Sequence, residues 1–480
     1  MRDGACVLKA PITHIVNQSI QSGIVLNDLK TAKVIPLLKK NNNTEACNYR
    51  PGSVLSAVSK ILEKAVYSQL ESFLINNKLL YEHQSGFRSS FSTDSCLISL
   101  FDHIKTQSSR GLYTGMIMID LQKAFDTVNH TILCNKLTLM GVESVKWFRS
   151  YLSNRTQVVK VNNVTSSPLN ISCGVPQGSI LGPLLFLCYV NDMVISVDPE
   201  CKLMLYADDS AILFSHRDPN YISSKLGHVL ESCNEWLVDN KLSLHLGKTE
   251  CILFGSKRKL SSACDFNIKC MGQTITGQDT VKYLGVNIDR CVSGETIAEN
   301  VIKKSSSRIK YLYRQASCLN QRCRKILVSA LIQCHFDYAV SAWYSGSSQS
   351  SKHRLQTTQN KMIRFILNWG PRTHVGQEQL SSLNFLNVEN RVKYLKLCHV
   401  HKIFNNNCAD YLHENFQKLS EVHGYRTRGS AFNFLVPKVK SLADSSFYFS
   451  AIREWNSLPG NIKGINNISG FKCAIRRLFQ

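Results

Sequence analysis

Leu203-Met204-Leu205-Tyr206-Ala207-Asp208-Asp209-Ser210-Ala211-Ile212-Leu213-Phe214 is the stretch on which the fold turns. An apolar run stops at two carboxylates and resumes as a second apolar run. That is the pattern of two strands joined at a short polar tip, a β-hairpin. Acidic pairs at hairpin tips are ordinary turn chemistry, so the doublet decides nothing by itself. Met116-Ile117-Met118-Ile119 is also of strand length and stops as abruptly at Asp120. Three carboxylates thus end or tip separate apolar strands, where a buried sheet would hold them rigidly. Carboxylates are hard oxygen ligands suited to Mg²⁺. Two such ions about 3.5–4 Å apart can clamp the attacking and leaving oxygens of a phosphoryl displacement.

Two further segments bear on that reading. Gly174-Val175-Pro176-Gln177-Gly178-Ser179, followed by Ile180-Leu181-Gly182-Pro183, is a glycine-rich turn leading into an apolar helix. Its glycines permit close approach of backbone to a ligand. Phe125 lies five residues after Asp120 and reads either as a core aromatic or as the floor under a sugar ring. Periodicity predicts helices over 10–30, 54–75 and 222–237, with strands at 251–254 and within 281–288. Beyond residue 290 the pattern is helical to about residue 415. Helices separating the strands point to an α+β fold, an antiparallel sheet with helices packed on one face.

The chain of 480 residues carries 57 Lys and Arg against 34 Asp and Glu, a formal net charge of +23. Such an excess favours phosphate backbones, which release counterions to cationic surfaces. Between Lys257 and Lys325 there are 14 basic against 5 acidic residues. An amphipathic helix over 297–314 puts Lys303, Lys304, Arg308, Lys310 and Arg314 on its polar side, a candidate phosphate track. The 18 cysteines contain no CxxC pair and resemble no disulfide framework, which suggests a reduced intracellular protein; cytoplasm and nucleus are the expected compartments. No uninterrupted apolar run approaches about 18–20 residues, so no membrane-spanning helix is expected.

In these motifs the chain resembles the reverse transcriptases of non-LTR, LINE-type retrotransposons, the jockey group above all. Seven motifs follow in the family's order: Asn48-Tyr49-Arg50-Pro51, Gln84-Ser85-Gly86-Phe87-Arg88, Asp120 to Asp126, Gly174 to Pro183, Tyr206 to Asp209, Gly247-Lys248-Thr249 and Tyr283-Leu284-Gly285. The resemblance implies a right-hand polymerase: N-terminal extension and fingers over 1–110, palm over 111–290, a helical basic thumb over 291–415 and a tail over 416–480. It implies two Mg²⁺ ions, with Mn²⁺ as a possible substitute, at Asp120, Leu121, Asp208 and Asp209. Phe125 would be the gate against a ribose 2′-OH. Gln177, Gly178, Leu121 and Tyr206 would line the nucleotide site, with Arg50 and Lys39 or Lys40 facing the triphosphate. Tyr283, Leu284 and Gly285 would form the primer grip. Lys248 matches a lysine that protonates leaving pyrophosphate, a role needing a lowered pKa; by its surroundings it also reads as a phosphate-facing or exposed lysine. The implied partners are an RNA template, a DNA primer or target and dNTPs.

Gly52 departs from the apolar residue usual after Arg-Pro in this family, which would loosen the fingers. Roughly 30 residues precede the fingers, too few for the endonuclease domain that family members carry, so either a truncated copy or a separate endonuclease is expected. Asp126 and Asp192 read as structural acids. Cys398, His399, His401, Cys408 and His413 fit no common zinc spacing and read as core and surface residues. The competing functional reading is an inactive or domesticated nucleic-acid-binding protein. A third, an RNA-templated RNA polymerase, is opposed by Phe125 as a sugar gate.

Overall fold

The computed structural model describes residues 4–39, 44–45, 48–262, 265–422, 432–436 and 444–480; Lys40 lies outside them. The first helix, α1 (Ala5–Ser22), ends earlier than periodicity predicted, because Gly23 takes a left-handed C-cap at φ 69°. Strands β1 (Thr31–Leu38) and β2 (Tyr49–Val54) pair antiparallel, with Leu37 opposite Arg50 and Ile35 opposite Gly52. A side chain at Gly52 would press on Leu37 and on the Ile35 carbonyl, so glycine suits this register. Helix α2 (Ala57–Asn76) starts at Ser56, whose hydroxyl accepts the Ser59 N–H; Val54 belongs to the strand before it.

Next come α3 (Thr93–Ser109), β3 (Tyr113–Ile119), α4 (His130–Leu139), α5 (Val145–Leu152) and β4 (Arg155–Val161). The short β5 (Val164–Thr165) and β6 (Leu169–Ile171) both pair with β4, and β4 runs parallel to β1. Helix α6 (Gly182–Val190) leads to β7 (Lys202–Tyr206), β8 (Asp209–His216), α7 (Pro219–Asp239) and β9 (Glu250–Phe254). The central sheet has the order β7-β8-β3-β9 and is antiparallel throughout.

Both faces of this sheet are covered, which corrects the expectation of helices on one face. Met116 and Met118 of β3 join a core with Leu97, Leu100 and Phe101 of α3. Ile117 and Ile119 join another with α6 and with Ile222 and Leu226 of α7. All seven residues of β3 are buried. A continuous apolar strand, rather than an alternating one, is what burial on two faces demands.

The hairpin β10 (Thr280–Tyr283) and β11 (Val286–Asp289) hands over to a helical body beginning at Glu295–Tyr313. Helices Phe447–Asn456 and Ile468–Phe479 pack into the same core, with Trp455 and Phe471 fully buried. His401 stacks on Phe471 at 4.3 Å and bonds the Ile465 carbonyl. Among the described residues one helical run, Gln321–Gly346, is apolar and long enough by composition to cross a membrane. Arg322, Arg324 and Lys325 open it, so a search for uninterrupted apolar runs passes it over. Val328, Ile332, Phe336, Val340 and Trp343 from this run are core residues.

Candidate active site

Antiparallel pairing alone brings the three aspartates together. Ile119, the last residue of β3, sits opposite Ser210, so Asp120 emerges beside the β7–β8 turn. Tyr206 pairs with Asp209, leaving Ala207-Asp208 as a two-residue tip. Ala207 has φ 57°, the positive value that tight primed hairpin turns require at their first central residue. The Asp120 main chain is stitched to the loop before β9, through its carbonyl to His245 N–H at 2.9 Å and through Gln122 N–H to the Ser243 carbonyl. Leu121 lies in that stitch with its side chain buried, so only its carbonyl could serve a metal or nucleotide.

Burial and the neighbouring charges of Asp208 and Asp120 raise the Asp209 carboxyl to about 6, while Lys39 pulls it down. The charges of Asp208, Asp120 and Lys39 are thus all within electrostatic reach of Asp209. Lys248 Nζ reaches Asp120 Oδ2 at 3.0 Å. Among the described residues no three acidic, His or Cys side chains form a ready-made ligand cluster. The donor set still fits hard divalent cations. Mg²⁺ is usually held by one or two carboxylates plus waters and substrate phosphates, not by an all-protein cage.

A cavity of about 250 Å³ brings Asp120, Asp209 and Lys248 together with Tyr283, Leu284 and Gly285, the expected primer grip. Lys282 and Glu250 line it too, and sequence reasoning missed both. Alternation in short strands gives no cue to which side chain faces a cleft.

Several residues expected at the nucleotide also meet one another. Gln177 Nε2 donates to Asp126 Oδ1 at 2.8 Å, and Gln177 Oε1 accepts from Arg50 Nε at 3.0 Å. Gly178, at φ 129°, lies against β2 so closely that a Cβ would stand 2.3 Å from the Ser53 carbonyl oxygen. Ser53 N–H donates to the Gln177 carbonyl at 2.8 Å. Buried Glu63 of α2 accepts the Ile180 N–H at 2.7 Å and the Tyr151 hydroxyl at 3.0 Å, pinning the far end of the turn. Phe125 stacks on Phe186 at 4.3 Å, with Phe87 edge-on at 6.2 Å. Phe125 is therefore half core residue and half wall, and Phe87 is an unforeseen neighbour.

The motif around Gln84 implies no role for that residue. Its Oε1 accepts N–H groups from both Gly86 and Ala207, at 2.9 and 3.0 Å. Ser85 N–H donates to the Leu205 carbonyl, and Leu205 N–H to that of His83, so this segment runs beside β7 as an added strand. Asp192 pairs with Lys136 at 2.5 Å, the structural place expected of it.

Residues 38–288 match the family of reverse transcriptases (RNA-dependent DNA polymerases). A probable RNA-directed DNA polymerase from transposon BS of Drosophila melanogaster is 28% identical over 348 residues, 70% of this chain and 38% of that protein. The RNA-directed DNA polymerase from mobile element jockey of the same organism is 27% identical over 364 residues, 73% and 39% of the two lengths. The chain thus spans about two-fifths of the length of these curated relatives. The apo telomerase of Candida tropicalis aligns over 82% of this chain and 70% of its own, at 13% identity and a TM-score of 0.39.

Proposed function

The chain belongs to the reverse transcriptase family of RNA-dependent DNA polymerases, and we propose that it extends a DNA primer 3′-OH with dNTPs on an RNA template. The observation that carries this reading is the single cavity in which Asp120, Asp209 and Lys248 face Tyr283, Leu284 and Gly285. Fingers up to residue 110, palm over 111–290 and thumb over 291–415 are the matching assignment. The reading shared with its jockey-like relatives is the polymerase of a non-LTR retrotransposon.

Asp120, Asp208 and Asp209 would hold two Mg²⁺ ions, with the Leu121 carbonyl beside them. Such ions supply charge neutralisation at the attacking and leaving oxygens. The protein's own contribution is then positioning. Arg50 and Lys39 would meet the triphosphate, Arg50 offering planar, multidentate contact. Gln177, oriented by Asp126, and Gly178 would face the incoming nucleotide and its template base. Phe125, backed by Phe186, would stand where a ribose 2′-OH must pass. Lys248 is near enough to Asp120 to serve leaving pyrophosphate once the carboxylate is otherwise engaged.

Primer extension on poly(rA)/oligo(dT), with Mg²⁺, with Mn²⁺ and with chelator, tests the proposal. Metal-dependent dTTP incorporation is expected, and Asp208→Asn should abolish it while RNA binding persists. RNA binding without incorporation by the unaltered chain would instead favour a nucleic-acid-binding protein that has lost the chemistry.

A further inference from the structure

Two turns in the proposed site are conformationally costly. Ala207 at the catalytic tip has φ 57°, and in the primer-grip turn Leu284 has φ 43° and Gly285 φ 82°. Left-handed backbone at residues other than glycine is strained and persists where the surroundings over-determine it. A tyrosine hydroxyl from the helical body beyond residue 330 bonds the second turn directly, and another bonds the segment that grips the first.

Tyr338 donates to the Leu284 carbonyl at 2.5 Å, and its ring is what a side chain at Gly285 would meet. Tyr411 donates to Ser95 Oγ at 3.1 Å, and its oxygen lies 2.9 Å from Ser85 Oγ. A phenol has one proton, and with that proton on Ser95 the Ser85 hydroxyl must donate to Tyr411. Ser85 stands between the two residues that grip the catalytic tip. Gln84 accepts the Ala207 N–H, and Gly86 lies so flat against Ala207 that a Cβ would come within 2.4 Å of its nitrogen. Both tyrosines are tied to the same place, the first turn of α3. Asp94 Oδ1 accepts the N–H of Ala339, next to Tyr338, and Ser95 accepts Tyr411. Tyr411 is buried, between the rings of His83 and Phe91. Burial raises both hydroxyls above the ordinary tyrosine range, so they remain protonated donors.

We propose that Tyr411 and Tyr338 are positioning residues, through which the C-terminal helical body sets the catalytic hairpin and the primer-grip turn. The proposal rests on the polymerase reading above and adds to it a specific pair of hydroxyl contacts.

The test uses the full chain in single-turnover primer extension, together with Mn²⁺ affinity measured by electron paramagnetic resonance without nucleic acid. Tyr411→Phe and Ser85→Ala should each lower the rate at saturating dNTP about three- to tenfold, the scale of one hydrogen bond. The dNTP KM should stay within about twofold in both. The double variant should be no slower than Tyr411→Phe alone, because that variant already removes the Ser85 bond together with the one to Ser95. Ser85→Thr, which keeps the hydroxyl, should retain the rate. Tyr338→Phe should reduce the fraction of primer termini extended in the first turnover. Mn²⁺ affinity should fall in Tyr411→Phe but not in Tyr221→Phe, an exposed tyrosine on α7 used as control. An unchanged rate in Tyr411→Phe, an unchanged first-turnover fraction in Tyr338→Phe, or losses that multiply in the double variant would overturn the proposal. If the unaltered chain extends no primer, the polymerase reading fails separately. A Mn²⁺ affinity lost in Tyr411→Phe would then still support the positioning role, and an unchanged one would end it.

Discussion

The Gln177 side-chain amide donates to Asp126 Oδ1 at 2.8 Å, which decides which way round that amide faces. Its oxygen is left for Arg50, 3.0 Å away across the cleft. An acid that reads as merely structural therefore orients a residue expected at the nucleotide. Asp126→Ala should raise the dNTP KM about three- to tenfold with a smaller change in kcat, the effect of one lost orienting bond. Asp126→Asn keeps an acceptor and should stay near the unaltered enzyme. Steady-state kinetics on a homopolymer template distinguishes them.

Lys248 and Asp120 form an ion pair in which both side chains are largely open to solvent. Exposed pairs add little stability, about 0–1 kcal/mol. Lys248→Ala should therefore leave thermal stability almost unchanged while slowing incorporation. If Lys248 also protonates pyrophosphate, the alkaline limb of the pH–rate profile should move in Lys248→Arg and disappear in Lys248→Ala.

Asp209 carries a stability cost. Its carboxyl is raised to about 6 by burial and by Asp208 and Asp120, so without metal the folded chain binds that proton more tightly than the unfolded chain does. Its contribution to stability must then fall as pH rises from about 4 through 6. Asp209→Asn removes the repulsion. It should raise Tm at pH 7 in chelator by on the order of 1–2 °C, a gain that vanishes toward pH 4. Millimolar Mg²⁺ should raise Tm in the unaltered chain and less in the variant, which also loses incorporation. Scanning calorimetry across pH reads all three effects.

Phe125 touches Phe186 and Phe87, so its ring is braced from behind. Phe125→Ala should open the sugar site and reduce discrimination against rNTPs about tenfold or more, measured as the ratio of kcat/KM values. Phe186→Ala, one step behind, should relax discrimination less while costing more stability, since Phe186 is fully buried.

Residue pattern alone carried much of this site. Abrupt endings of apolar runs located Asp120 and the Asp208-Asp209 tip, because a buried strand tolerates charge only at its end. The glycines around Gln177 read as a close approach of backbone to a ligand, whereas what Gly178 meets is the Ser53 carbonyl of β2. Local periodicity marked the helices, missing boundaries where a single glycine or serine cap decided them, as at Gly23 and Ser56.

What sequence pattern determined, then, was which carboxylates are candidate ligands and which strands present them, since those follow from hydrophobic period and residue type over a few positions. Tertiary structure alone decided the supports. That Gln84 caps Ala207, that Asp126 turns Gln177, and that Tyr411 reaches Ser85 across 326 positions are contacts between distant segments. The same holds for the doubly covered sheet. A hydrogen-bonding side chain leaves no periodic trace of its partner, so these pairings exist only once the chain has closed around them.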